Sequence, residues 1–585
     1  MRLSPVFSRA GYLPIIAAGL WLGLAAQEPG PEATLQLPKY VVTGERELSP
    51  PERWHYGRIP GFEVLSNAPE RATRDLLNDF QRFTNAVNLV WPGMAPSAAV
   101  PAALIICGRG DQFGAFLPAA ARGTDRAMAS LSFRAREQAA IVLDLQTKVL
   151  NLATTEGAAA TATVDENGVT SGTGADPGFA VDAYQQLYRE YLRFLLAGLE
   201  SRPPAWFAEG LAQLFMAMEV TNTSITLGKL EDPNTSAEPT GPGQAAAQQD
   251  RDFNATLARR ALMPLPEMFA VTADSPLALN PLGSTWAKQC SAFVHWGMYG
   301  DQGVHQKDFF TFVARVGREP LSEALFRDCF RKSYPEMLQE LRNYVEFTRH
   351  KVAGVRAEKG QKIPEPPPVV LREATEAEVG RLKGGTLLLA GQKAAAHTAL
   401  ITPYIRGERD SALLAALGIE EAGGGNPDKA RTLLEAAAAG KVVRPRAYVE
   451  LARLRLHEAQ AHPEGAGGKN SARQTAGVLE PLFVAHGQPP ALPELYELIA
   501  EAWSQSEVTP SAAQLAVLHE GVRLYPRNPS LVYGTAALNA KTGRVAEAEA
   551  LIRLGLLVTT DPGQRAKLET LQAGLPVLPP APVDK

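Results

Sequence analysis

A chain of 585 residues and 62.8 kDa is too long for one hydrophobic core, so it is expected to divide into roughly two to four domains. At 45% hydrophobic and 21% charged it has an ordinary globular composition. A net charge of −4, a pI near 6.2 and no dense basic cluster exclude the usual electrostatic footprint of a nucleic-acid binder.

Residues 1–26 read as a secretory signal peptide. Arg2 and Arg9 supply a positive n-region, and the apolar run Tyr12 to Ala26 ends in small residues, with cleavage expected after Ala25 or Ala26. The rival reading is a retained N-terminal anchor, but the run is shorter than a full span needs. No later segment approaches the ~20 apolar residues of a membrane-spanning helix. The mature chain is therefore expected to be periplasmic or secreted, without a stable membrane span.

Residues 27–52 are rich in Pro and Glu and are expected to be a flexible leader, with one short strand signal at "YVVTG" (Tyr40 to Gly44). From residue 53 the pattern changes. "FEVLSNAP" (Phe62 to Pro69) alternates as a strand, Glu70 to Phe83 has helical periodicity, and "AALIICG" and "AAIVLDL" (Ala102 to Gly108, Ala139 to Leu145) are buried-strand runs. These predict an α+β domain over 53–150. Residues 151–177 read as a loop or weak hairpin, and 178–350 as mainly helical, interrupted by a polar excursion from Thr221 to Asp250. Residues 351–375 contain "IPEPPPVV" and predict a stiff extended linker.

Residues 376–578 carry a period. Gly384, Gly418 and Ala452 are each 34 residues apart, as are Ala502 and Ala536. Around Gly418 the unit continues with Gly425, Ala430, Leu434 and Ala437; around Gly384 it repeats as Gly391, Ala396 and Leu400, and around Ala536 as Gly543, Ala548 and Ile552. Thirty-four residues is the tetratricopeptide period, and small residues facing small residues would let paired helices approach closely. The phase slips once, across "HPEGAGGKN" (His462 to Asn470). Such arrays stack into solenoids that bind peptides or protein segments. Residues 579–585 form a short tail after the repeats.

Other chemistry-bearing patterns are sparse. Cys107, Cys290 and Cys329 are too few for a disulfide scaffold; Cys290 and Cys329 could bridge, or all three could be buried and unpaired. Arg109 to Asp111 reads "RGD", best explained as a turn. No Walker loop, Gly-x-Ser-x-Gly elbow or dinucleotide fingerprint is present. In "HEAQAH" the two histidines, His457 and His462, are five apart, off a common helix face.

The informative stretch is "LYREYLRFLLAGLESRPPAWFAEGLAQLF", residues 187–215. Phe179, Tyr184, Tyr188, Tyr191, Leu192 and Leu195 space an amphipathic helix with a broad apolar face. Positions 189 and 193 point the same way with Glu190 beside them. This is the arrangement in which His-Glu-x-x-His grips zinc and activates its water. After 15 intervening residues comes Glu209, placed as a third ligand would be.

"PAWFAEGLAQLF" resembles the P-x-W-x-x-E-G-(L/F)-A segment of the peptidase MA-like, gluzincin-type proteins. "QCSAFVHW" (Gln289 to Trp296) is similar to that family's later helix, and "LMPLPEMF" (Leu262 to Phe269) lies where the family would place it. The resemblance spans roughly residues 53–350. It implies a gluzincin-like helical domain in which Glu190 stands at the general-base position, Arg189 and Arg193 at the two zinc-ligand histidines, and Glu209 at the third ligand. Trp206 and His295 would then lie near the old cleft. Arginine has no lone pair for a metal, and no histidine occurs between His55 and His295. The metal site is thus degenerate, with zinc expected to be lost and no cofactor expected.

Two roles for the arginines are compatible with the sequence. Arg189 or Arg193 could hold Glu209 in a bidentate pair, or both could reach solvent with Glu190–Arg193 a surface pair. The expected architecture is an α+β N-terminal domain and a helical, degenerate gluzincin-like domain, followed by an all-α tetratricopeptide-like solenoid. The expected function is exported, catalytically inactive binding of peptide or protein through the former cleft and the repeats. The alternatives are a residual hydrolase using Glu190 as base, and a structural envelope scaffold.

Overall fold

The computed structural model describes residues 36–40, 51–92, 100–118, 129–146, 149–152, 179–199, 202–228, 262–279, 284–347, 353–358 and 361–576. The signal-peptide region, the strand expected after Tyr40, most of the 151–177 segment and the tail lie outside them.

The buried-strand runs of the sequence become the middle of a sheet. β1 (His55–Ile59) and β2 (Phe62–Ser66) form an antiparallel hairpin across Gly61, whose φ of +81° suits glycine. The helix α1 (Glu70–Val90) then crosses to β3 (Ala102–Cys107), which runs parallel to β2. β4 (Ser130–Arg134) is an antiparallel edge on β5 (Ala139–Asp144), and β5 is parallel to β3. β6 (Val149–Leu152) and β7 (Phe179–Asp182) pair as a separate ribbon, so the ends of the expected loop are held together.

Helices follow: α2 (Ala183–Ala197), α3 (Ala205–Met216), α4 (Leu265–Ala270), α5 (Thr285–Tyr299), α6 (Gln306–Val316), α7 (Glu323–Phe330) and α8 (Tyr334–Phe347), with a single helical turn at Pro276–Leu279 between α4 and α5. At the start of the expected polar excursion, β8 (Glu219–Val220), just before it, and β9 (Ser224–Leu227), inside it, form a three-stranded sheet with β10 (Ala353–Arg356).

The linker expected over 351–375 is not a free spacer. Its start supplies β10, and its end supplies β11 (Leu371–Glu373), which pairs with β1 and completes the order β11-β1-β2-β3-β5-β4. Between them Val369 is buried, Gln81 donates to the Pro367 carbonyl at 3.2 Å, and the Ile363 N–H donates to the Asn222 carbonyl at 2.8 Å. Proline stiffens the chain into the extended form a sheet edge accepts, and its missing N–H is harmless there.

Alternation along each strand sends side chains to two cores. Phe62, Val64, Leu104, Ile106, Ile141 and Leu143 meet α1, α2 and the helices beyond. Leu65, Ala103, Ile105, Cys107, Ala140 and Val142 face the opposite way. Strands buried on both faces read as near-continuous apolar runs, which is why these were visible in the sequence.

The second face is covered by the start of the repeats. α9 (Glu376–Leu389) lays Leu382 and Leu387 against Trp54, Leu65, Ile105, Phe116 and Val142, and α10 (Lys393–Ile405) adds Ala396. A buried carboxylate sits in this seam. Glu63 accepts from Arg381 of α9 through both guanidinium ends at 2.7 Å, and from the Tyr56 hydroxyl at 2.5 Å. Burial would raise its pKa, but Arg381, Tyr56 and Arg58 outweigh that and bring it to about 2.

The remaining helices are α11 (Ser411–Gly423), α12 (Pro427–Ala439), α13 (Pro445–Ala461), α14 (Ala472–His486), α15 (Pro493–Ser504), α16 (Ala512–Leu524), α17 (Pro529–Lys541), α18 (Val545–Val558) and α19 (Pro562–Ala573). From α9 to α18 they stand as consecutive pairs, with α19 behind, and one apolar core runs through the stack. The region is tetratricopeptide-like. The expected small-on-small contact is corrected: a Cβ on Gly384 would lie 2.5 Å from Leu400 Cγ, and one on Gly418 2.8 Å from Leu434 Cγ. The glycine makes a hole for a leucine of the partner helix rather than meeting another small residue.

Replacing Arg381 with Leu strands Glu63 in this seam with only Tyr56 and Arg58, and should cost about 3 kcal/mol in urea unfolding. Because Glu63 is depressed in the folded state, its contribution is present above the ordinary carboxylate range and lost as pH falls toward about 2. The wild-type chain should therefore lose stability below about pH 5 more steeply than Glu63→Gln.

Candidate functional site

The sequence positions singled out above meet where α2, α3 and the sheet edge pack. α2 lies on β4 and β5 and buries Leu187, Tyr191, Leu192, Phe194 and Leu195. Arg189 and Glu190 fall on the same buried side, at 2% and 1% exposure. α3 begins after Pro204, and Gly210 touches α5 so closely that a Cβ there would lie 2.5 Å from the Cys290 carbonyl oxygen. That contact seats Glu209, 3% exposed, across from Arg189.

Arg189 is the centre of the site. Its Nε donates to Glu209 Oε1 at 3.1 Å and its Nη2 to Glu209 Oε2 at 2.8 Å, a bidentate pair. Its Nη1 donates to Glu190 Oε1 at 2.7 Å. Gln213, one turn further along α3, adds a donor to Glu209 Oε1 at 3.0 Å. Glu190 Oε1 also receives the Ser130 hydroxyl at 3.4 Å and Arg193 Nη1 at 3.5 Å. Arg193 is a quarter exposed, and its Nη2 reaches the Ala278 carbonyl at 3.4 Å. The two arginines therefore differ: Arg189 is a buried clamp, and Arg193 reaches from the same face toward the surface.

The charges are mutually enforced. Burial works against the Arg189 guanidinium, but Glu209 and Glu190 hold its pKa above the ordinary arginine value. Burial would raise Glu190, but Arg193 and Arg189, with the Ser132 and Ser130 hydroxyls, keep it below the ordinary carboxylate range. A carboxylate held this way is a weak proton acceptor.

The donor set does not fit zinc. Guanidinium nitrogens have no lone pair to give, both oxygens of Glu209 are taken by Arg189, and Gln213 shares one of them.

The two expected cleft residues are core residues. Trp206 is fully buried among Phe207, Phe269, Phe293, Phe309 and Phe312. His295 is also fully buried: Nε2 lies 2.8 Å from the Gly228 carbonyl and Nδ1 2.7 Å from the Tyr344 hydroxyl. A carbonyl only accepts, so Nε2 carries the proton and, in the neutral ring, Nδ1 accepts from Tyr344. Gln289 of the same "QCSAFVHW" helix clamps the Met263 backbone, donating to its carbonyl and accepting from its N–H, both at 2.8 Å. The residues of the resemblance thus lie close together in the fold, and among the described residues they are buried in packing.

Cys107, Cys290 and Cys329 are buried and free, and burial pushes all three thiols above the ordinary range. In the "RGD" bend, Asn67 donates to the Arg109 carbonyl and Gln146 to that of Gly110. Among the described residues, one group brings three possible metal-ligand atoms within 4.8 Å of each other: His397, Glu420 and Glu421. Sequence reading missed it, because His397 lies on α10 and the glutamates on α11, with no motif spacing between them. The Ser130 and Ser132 contribution was equally invisible, since a strand edge gives no sign of which helix will cover it.

No protein-family model and no curated protein matches the chain. Similar solved structures include a tetratricopeptide-repeat protein of Thermus thermophilus, at 18% identity over 34% of this chain and 100% of that one, with a TM-score of 0.24. PilF of Pseudomonas aeruginosa is similar at 13% identity, over 34% of this chain and 88% of that one, with a TM-score of 0.24. The APC/C hetero-tetramer Cut9–Hcn1 is similar at 11% identity, over 66% of this chain and 67% of that one, with a TM-score of 0.26. Likeness at this level carries no argument. The tetratricopeptide-like character of residues 376–573 rests on the helix pairing and the 34-residue spacing. The gluzincin-like reading of residues 178–350 gains no support from these comparisons.

Replacing Arg189 with Met leaves two buried carboxylates without their main cation and should cost about 3–5 kcal/mol by denaturant unfolding. Arg193→Ala, which removes a longer contact to Glu190 from a partly exposed position, should cost less than Arg189→Met in the same assay.

Proposed function

We propose that this chain is an exported, non-catalytic binding protein in which the repeat array holds an extended segment of a partner and the sheet-and-helix unit serves as its base. One observation carries the reading: Arg189 forks onto both oxygens of Glu209 and also holds Glu190 Oε1, while the long helical stack among the described residues is a peptide-binding type of architecture. The residues 1–26 pattern supports export. No helix among the described residues is long and apolar enough to cross a membrane.

The expectation that the former cleft also takes peptide loses its footing, since Arg189, Glu190, Trp206, Glu209 and His295 are all at least 97% buried. A residual hydrolase with Glu190 as base is likewise disfavoured, because ion pairing lowers that carboxylate's basicity. The peptidase-like resemblance is best taken as descent of residues 53–350 from an enzyme whose ligands became arginines.

Purified full-length chain should bind members of an extended-peptide library and cleave none of them. It should also hold no stoichiometric zinc. Cleavage abolished by Glu190→Gln, or zinc released by Glu209→Ala, would overturn the proposal.

A further inference from the structure

Residues 36–40, "QLPKY", belong to the leader and lie against the repeat array. Gln36 and Lys39 are exposed, while Leu37, Pro38 and Tyr40 are partly buried. Leu37 and Tyr40 pack on the core of the repeats. The contact is long-range in sequence: Tyr40 and Glu421 are 381 positions apart.

The receiving surface is made by α10, the end of α11 and the start of α12. The Tyr40 hydroxyl donates to Glu421 Oε1 at 2.6 Å. Glu421 is 98% buried, and its other oxygen accepts from Asn426 Nδ2 at 2.7 Å, which fixes the carboxylate's direction. The Tyr40 ring meets the Tyr404 ring edge-on at 5.4 Å, and Lys429 Nζ stands over the same ring at 4.7 Å. Tyr404 in turn donates its hydroxyl to the Pro38 carbonyl at 2.8 Å. Arg409 lies 3.9 Å over the Tyr404 ring and donates to its carbonyl, which steadies it.

This is a reading arrangement with separate tasks. Glu421 recognises a phenol, Tyr404 holds the main chain two residues earlier whatever its side chain, and Lys429 covers the ring. Burial, followed by the Glu421 carboxylate, keeps the Tyr40 phenol protonated and so able to donate. The neighbouring His397–Glu420–Glu421 group has its atoms already committed: His397 pairs with Glu420 at 3.0 Å, and Glu421 is shared between Tyr40 and Asn426. It is better understood as the floor of this site than as a cation site.

We infer that Tyr404, Glu421, Asn426 and Lys429 form a peptide site for a segment that carries a tyrosine and is held by the main-chain carbonyl two residues before it, and that the chain's own Leu37–Tyr40 occupies it in competition with a partner segment of the same chemistry. The inference deepens the binding function proposed above and rests on it. A tethered occupant acts at an effective concentration on the order of millimolar, so a partner peptide sees only the fraction of sites left open.

The test uses a fluorescein-labelled peptide of residues 33–41, ATLQLPKYV, titrated into the full-length chain. It should bind the Tyr40→Ala chain about tenfold or more tightly than wild type, because the internal competitor is gone. Adding Glu421→Gln, or replacing the peptide's tyrosine with phenylalanine, should each weaken binding by about tenfold or more. Tyr40→Phe, which removes only the hydroxyl, should show the same ordering and serves if the alanine chain does not fold. Equal affinity for the tyrosine and phenylalanine peptides, or no binding of either to the Tyr40→Ala chain, overturns the inference. If other extended peptides still bind that chain while this one does not, the site assignment fails and the binding function stands.

Discussion

A sheet whose central strands are apolar on both sides has to be covered twice. β2, β3 and β5 divide their side chains between two cores, and the chain closes the first with α1 and α2. For the second it reaches far ahead in sequence, from β5 to α9, and brings back Leu382 and Leu387. Glu63 marks the seam, because a carboxylate on that face can be buried only where a cation arrives with it. Arg381 arrives on the same helix as the two leucines. Strand edge, proline-rich connection and first repeat follow from this one requirement, since β11 must run along β1 for α9 to land on the sheet.

Much of this was legible, and the limits are physical. Apolar runs such as "AALIICG" reveal strands because burial on both faces leaves no alternation to obscure them. β1 and β4 were missed because "HYGRI" and "SLSFR" are short, mixed segments with no continuous apolar run. The repeats announced themselves by period, although the sequence could not say that Gly418 faces a leucine instead of another small residue. The proline-rich segment was read as a spacer because composition reports stiffness, not partners. In the candidate site, the zinc-motif pattern suggested that Arg189, Glu190 and Glu209 share one site, and they do meet. Spacing could not separate a clamp from a surface arginine. That distinction depends on which helix face the sheet covers, and there Arg189 is enclosed while Arg193 extends outward.

The Arg189 cluster also illustrates how two carboxylates can be carried into a buried core. Two carboxylates in a dry place demand positive charge, and a guanidinium supplies it with a geometry that matches a carboxylate edge to edge. Its Glu190 carboxylate is held below the ordinary range, and the site is rigid: α2, α3 and α5 are held by Gly210 against Cys290, by the Arg189 fork, and by an aromatic cluster around Trp206. These are attributes of a foundation.

The sharing of α9 between the sheet and the array has a mechanical meaning. A repeat domain joined through a spacer can swing; one whose first helix is also a wall of its neighbour's core behaves as a cantilever. Load applied to the far helices is delivered into the sheet through Leu382, Leu387 and Arg381. A segment bound by the repeats would accordingly be presented at a set angle to the base, and the stiffness of that arm is fixed by packing that the first repeat helix shares with the sheet.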